Sequence, residues 1–166
     1  MIAVPDAGMI RDMAPELAHM LDDLRTLVGV ESPSRDLAAL ESSAAALAEI
    51  MLVRLGSAPT LLPTPAGPMV HWSGGGTPRA LLVGHHDTVF PLGSLDARPF
   101  TITDGRATGP GVFDMKGGIV QAIHAVAALV DRAGVELLFT PDEEVGSGAS
   151  RAVSYTHLTL PTILRV

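Results

Sequence analysis

The sequence predicts an α/β domain, a mixed, mainly parallel sheet flanked by helices, and three observations carry that prediction. Two stretches near the N-terminus repeat apolar residues at three- and four-residue spacing. Short apolar runs bounded by Pro and Gly follow from Thr60 onward. From Ala80 to Phe139 a strand, a glycine-rich loop, a helix and a second apolar strand succeed one another, which implies a parallel βαβ unit.

Taken in order, Leu17, Met20, Leu21, Leu24, Leu27 and Val28 form the apolar stripe of a first helix over residues 15–28, with Pro15 suited to its first turn. The Glu31-Ser32-Pro33-Ser34 stretch breaks the pattern. A second helix starts near Asp36, carries Leu37, Leu40, Ala44, Leu47, Ile50 and Met51, and closes at Gly56. Strands are expected at 60–63, 69–73 and 80–83, and the Gly74-Gly75-Gly76 run reads as a hairpin loop because it lacks phosphate-cradle spacing and precedes a strand. Residues 100–111 read as a strand and a glycine-rich turn, 118–131 as a helix, and Val135 to Phe139 as an apolar strand interrupted by Glu136.

Composition narrows the function classes. The 166 residues leave room for one core, and 47% hydrophobic against 17% charged residues is the balance of a folded domain. A formal charge of −7 with dispersed basic residues disfavours nucleic-acid binding. Zero Cys excludes disulfides and thiolate chemistry, leaving His and carboxylates as the strong metal ligands. The N-terminus lacks the charged and apolar regions of a secretory signal, and the longest apolar stretch, near Ile119 to Val130, is too short to span a bilayer, so no membrane partner and a soluble, cytoplasmic chain are expected.

Three segments carry acidic or imidazole chemistry at predicted strand ends. In Gly84-His85-His86-Asp87-Thr88-Val89, His85 and Asp87 share a face of an extended chain, so Asp87 is placed to accept the second ring N–H of a metal-bound His85; a solvated turn is the alternative. In Gly109-Pro110-Gly111-Val112-Phe113-Asp114-Met115-Lys116-Gly117-Gly118, glycines let the backbone fold around Asp114, which otherwise reads as an N-cap of the following helix. In Thr140-Pro141-Asp142-Glu143-Glu144-Val145-Gly146-Ser147-Gly148, three consecutive carboxylates repel one another, which a solvated loop tolerates and a cation site exploits. All three fall in the crevice beyond strand ends where open α/β sheets bind ligands. Imidazole with hard oxygen ligands suits Zn2+, Co2+ or Mn2+, and two such ions sharing a carboxylate suit amide hydrolysis.

The segments GHHDTV, GPGVFDMKGG and TPDEEVGSG, in this order and spacing, resemble the three N-terminal signatures of the di-zinc aminoacylase, glutamate carboxypeptidase and acetylornithine deacetylase type of metallopeptidase. The resemblance covers roughly Leu17 to Arg151. It implies His85 as ligand of one metal, Asp87 as the carboxylate orienting it, Asp114 as bridging ligand, Glu143 as general base and Glu144 as ligand of the other metal. It further implies two zinc ions per complete site, a small peptide or N-acyl amino acid as substrate, and homodimerisation of a full-length protein. The family adds a further acid and a His beyond the third motif, so residues 1–152 are expected to be the N-terminal part of the catalytic domain, inactive alone. Residues Val153 to Thr162 resemble the read-through translation of a sequencing adapter, and 153–166 are expected to be a non-native tail, an edge strand being the alternative. A non-catalytic metal-binding or interaction domain is the competing functional class.

The remaining histidines carry no expected chemistry. His124 reads as a packed or capped core residue, His19 as a solvated surface residue, and His86 falls on a variable motif position. Ser147 lies in Gly-Ser-Gly, not in a nucleophile elbow.

Overall fold

The computed structural model describes residues 14–151 and 163–165. The first helix, α1 (Ala14–Gly29), buries Leu24, Leu27 and Val28, the C-terminal part of the apolar stripe, while Leu17 stays exposed. The second, α2 (Leu37–Leu55), starts where Asp36 Oδ1 accepts the Ala39 N–H at 3.0 Å and ends where Gly56, at φ 77°, returns its N–H to the Leu52 carbonyl. Its buried face is Leu40, Ala44, Leu47, Ile50 and Met51.

The strands β1 (Thr60–Leu62), β2 (Met69–Ser73), β3 (Ala80–His85), β6 (Val135–Thr140) and β7 (Ile163–Arg165) form one sheet in the order β1-β2-β6-β3-β7. It is mixed: β6, β3 and β7 pair in parallel, β1, β2 and β6 antiparallel. The predicted βαβ unit is β3, α4 (Gly117–Ala127) and β6. Side chains alternate across the sheet. Val70, Trp72, Leu137 and Phe139 face α1, α2 and α4 and form the main core with Leu47, Met51, Ile119 and Ile123. Met69, Leu81 and Leu138 form a smaller cluster on the other face.

Three sequence expectations change. The Gly74-Gly75-Gly76 run is not a hairpin loop: β6 inserts between β2 and β3, and the loop passes over its start, with the Gly74 N–H on the Val135 carbonyl at 2.9 Å. A Cβ at Gly74 would sit 2.1 Å from the Arg132 carbonyl oxygen, so close backbone passage is what this glycine permits. Residues 100–111 hold not one strand but a hairpin, β4 (Thr101–Thr103) and β5 (Arg106–Thr108), turned at Asp104 and Gly105 with φ 50° and 73°. Such Asp-Gly pairs suit the left-handed turn that matches strand twist. A short helix, α3 (Ser94–Ala97), precedes the hairpin.

The predicted helix end at 131 moves back to Ala127, where Arg132 Nη2 binds the Ala127 carbonyl and Nη1 the Leu55 carbonyl, leaving Val130 in solvent. The strand β7 lies along the β3 edge, with Leu82 opposite Leu164. The adapter-like residues 153–162 lie outside the described residues.

Candidate metal centre

The parallel register of β3 and β6 pairs His85 with Thr140, so the two strands end side by side and their following loops meet. That is the crevice in which α/β sheets bind ligands. His85 is the last residue of β3, and its backbone N–H points to Met115 Sδ at 3.2 Å. Asp114 lies in the irregular turn Val112–Lys116 ahead of α4, with extended φ −122° and ψ 99°, and the Asp114–Met115 peptide is cis. Glu143 and Glu144 occupy a single 3-10 turn, Glu143–Val145, just beyond β6.

His85, Asp114 and Glu144 each bring a ligand atom to within 4.8 Å of the others. His85 Nε2 is 3.1 Å from Asp114 Oδ1 and 3.9 Å from Glu143 Oε2. Its Nδ1 is held by Asp87, 3.1 Å from the backbone carbonyl and 3.3 Å from Oδ1. One ring nitrogen is thereby committed to orientation and the other aimed at the carboxylates, the usual arrangement of a metal-binding imidazole. An imidazole and two carboxylates are a donor set that fits a divalent cation such as zinc. The electrostatics agree: burial lowers the affinity of His85 for its proton, but Asp87 and Asp114 more than reverse this and push its pKa up to about 9. The cluster thus favours positive charge at its centre. Burial, and then the neighbouring carboxylates of Asp114, Asp87 and Glu143, raise the pKa of Glu144 against the opposing pull of His85.

Asp87 does more than orient one ring. Fully buried, it accepts the Ser34 hydroxyl at 2.7 Å and the backbone N–H groups of Glu143 at 3.2 Å and Glu144 at 3.3 Å. Burial raises its pKa, yet His85 and Ser34 with these amides bring it below the usual carboxylate value. The broken helix pattern at Glu31 to Ser34 therefore has a purpose the sequence reading missed: Ser32 donates to the His86 carbonyl at 2.6 Å, and Ser34 completes Asp87.

One alternative reading of the motif residues is set aside: Asp114 does not cap α4, whose N-cap is Lys116 without a side-chain bond. Glu143 and Glu144 lie on a 3-10 turn whose backbone N–H groups both reach Asp87. The third acid of that run, Asp142, is buried and taken up by Ala149 N, Ser150 N and the Ser150 hydroxyl, so it pins the loop instead of facing the site. The buried ammonium of Lys116, the sole lysine in the sequence, donates to the Leu27 and Val30 carbonyls at 2.9 and 2.8 Å, tying the Asp114 turn to the end of α1.

The other histidines stay apart from the cluster. His86 turns inward to Ser43 Oγ at 3.2 Å and the Pro68 carbonyl at 3.0 Å, and burial depresses its pKa to about 4. His124 is buried between Glu16 and Asp23, with Asp23 also forked by Arg54, a core role. His19 is exposed, and His71 lies 3.5 Å from Glu136 on β2.

Comparison with known proteins agrees with the fold. Carboxypeptidase G2 of Pseudomonas sp. (strain RS-16) is 39% identical over 83 residues, covering 47% of this chain and 20% of that protein. Succinyl-diaminopimelate desuccinylase of Azoarcus sp. (strain BH72) is 48% identical over 85 residues, covering 44% of this chain and 22% of that protein. The matched part thus spans about a fifth of the length of these curated relatives. The M20 family metallo-carboxypeptidase Sso-CP2 from Sulfolobus solfataricus shares the fold with a TM-score of 0.72 at 22% identity, over 90% of this chain and 36% of that one. Human carnosine dipeptidase 1 does so with a TM-score of 0.67 at 21% identity, over 93% and 39%. The model of the Peptidase family M20/M25/M40 matches residues 81–161, the segment bearing all three motifs.

Proposed function

We propose that the protein is the N-terminal part, residues 1–152, of a metal-dependent hydrolase that cleaves the amide bond of a small peptide or an N-acylated amino acid. The convergence of His85, Asp114 and Glu144 within 4.8 Å carries this reading. His85 and Glu144 would each hold a zinc ion, with Asp114 shared between them; Co2+ or Mn2+ suits the same donors. Bound there, the ions supply Lewis acidity that acidifies water and polarises the scissile carbonyl. Asp87 keeps the His85 ring in the tautomer that frees Nε2, and its grip on the amides of Glu143 and Glu144 sets both carboxylates relative to that ring. Glu143 takes the proton of the attacking water on a carboxylate oxygen and returns it to the leaving amine nitrogen. The names of the two curated relatives, a carboxypeptidase and a desuccinylase, support an amide beside a carboxylate-bearing group as the substrate class. The full-length enzyme is proposed to be a cytoplasmic homodimer, and residues 153–166 to be a non-native tail.

Zinc binding by calorimetry tests the assignment. Glu144→Gln is expected to weaken zinc binding at least tenfold while Glu143→Gln leaves it within a factor of two. The opposite outcome would reverse the two roles, and unchanged binding in both variants would remove the metal centre.

A further inference from the structure

A cavity of about 300 Å³ is lined by Phe90, Arg98, Thr101, Thr108, Gly109 and Pro110 among others, with Phe90 three residues after Asp87 and Pro110 four before Asp114. It sits on the same loops as the cluster. Phe90 is on the segment that leaves β3 after Asp87, and Gly109 and Pro110 lead directly into the turn that carries Asp114. The Arg98 guanidinium stacks over the Phe90 ring, 4.6 Å from its centroid. The hydroxyls of Thr101 and Thr108 are hydrogen-bonded to each other across the hairpin at 2.8 Å, which leaves one hydroxyl proton free to turn toward a guest. Arg25, Arg54 and Arg79 pair with Asp22, Asp23 and Asp131, whereas no carboxylate among the described residues pairs with Arg98.

We propose that this cavity is a carboxylate subsite, in which Arg98 and the Thr101–Thr108 hydroxyl pair receive an anionic end of the substrate. The proposal rests on the hydrolase reading for what that carboxylate belongs to. Charge supplies the reason for a separate pocket. With ions bound, their charge is matched by Asp87, Asp114, Glu143 and Glu144, so a substrate carboxylate away from the scissile bond needs a cation of its own within reach. A guanidinium held against an aromatic face loses little freedom on binding, and its planar fork matches a carboxylate with two parallel hydrogen bonds. The volume sits at the small end of ligand pockets, enough for a carboxylate with a few carbons.

The experiment is a titration of the metal-stripped 166-residue chain with succinate, followed by the amide resonances of Thr101, Thr108 and Gly109. Saturable shifts of these amides are expected, with Arg98→Ala weakening succinate at least tenfold and neutral succinamide binding at least tenfold more weakly than succinate. Arg98→Lys, which keeps the charge and loses the fork, is expected to fall between wild type and Arg98→Ala, and Arg79→Ala to match wild type. Because Arg98 is exposed, its variants are expected to melt with the wild type. Equal succinate affinity in wild type and Arg98→Ala, or no saturable shift at these amides, overturns the subsite. No metal and no turnover enter this measurement, so failure of the hydrolase reading in the zinc titration of Glu143 and Glu144 variants is seen separately.

Discussion

Asp87 shows how much one buried carboxylate settles. It accepts from a serine and two backbone amides and pairs with an imidazole, and these partners come from three separate stretches of chain. Asp87→Asn replaces one accepting oxygen by a donor, so the variant is expected to lose about 1–3 kcal/mol of stability in urea unfolding and 10–100-fold in zinc affinity. Unchanged zinc affinity would separate Asp87 from the site. The neighbouring His86 titrates in the opposite direction to His85. Burial depresses its pKa from 6.5 to about 4. Above about pH 6.5 the ring is neutral in both states and its contribution is complete; below that the unfolded chain takes a proton the folded chain refuses, so stability falls as pH falls toward 4. The loss over that window is about 3 kcal/mol. Urea midpoints measured from pH 7.5 to 4.5 are expected to slope downward in the wild type and to flatten in His86→Gln; an identical slope in the variant refutes it.

Among the elements, the turn from Gly109 to Lys116 is closely constrained by its surroundings. Gly111 has φ 73°, and a Cβ there would stand 2.8 Å from Thr88 Cγ2, next to Asp87. Gly111→Ala is therefore expected to cost about 1–3 kcal/mol of stability and to weaken zinc binding by displacing Asp114. Thermal melting and a zinc titration check both, and a variant indistinguishable from wild type would show that the turn shifts freely. At the other end of the fold, Asp36→Ala removes the N-cap of α2 and is expected to cost about 1 kcal/mol with zinc binding unchanged, since the cap lies outside the cluster.

For the molecule as a whole, the number of donors decides what the chain does alone. On the proposed assignment, His85 with a shared Asp114 and Glu144 with the same Asp114 would give each of two ions two protein ligands among the described residues, where a catalytic zinc ordinarily has three. The 166-residue chain is expected to bind zinc weakly and to show no amidase turnover with N-acyl amino acids or C-terminal glutamate conjugates in added zinc or cobalt. Turnover that chelation abolishes would overturn this.

Residue order already carried the apolar periods of α1 and α2, the βαβ unit and the three acid-bearing loops, because helix stripes, glycine turns and strand ends are local properties of sequence. It also carried which side chains have metal chemistry, since His, Asp and Glu in a chain without Cys leave little choice. The Asp104–Gly105 hairpin was missed although its signal, a dipeptide whose turn preference is local, stands in the sequence. The insertion of β6 between β2 and β3 was not readable, because strand pairing joins residues far apart and either neighbour satisfies the same apolar pattern. Nor were the capture of Asp142 by its own loop, the burial of Lys116 against α1, or the reach of Ser34 to Asp87. Each depends on which backbone groups lack a partner once the elements have packed, and only the assembled fold decides that.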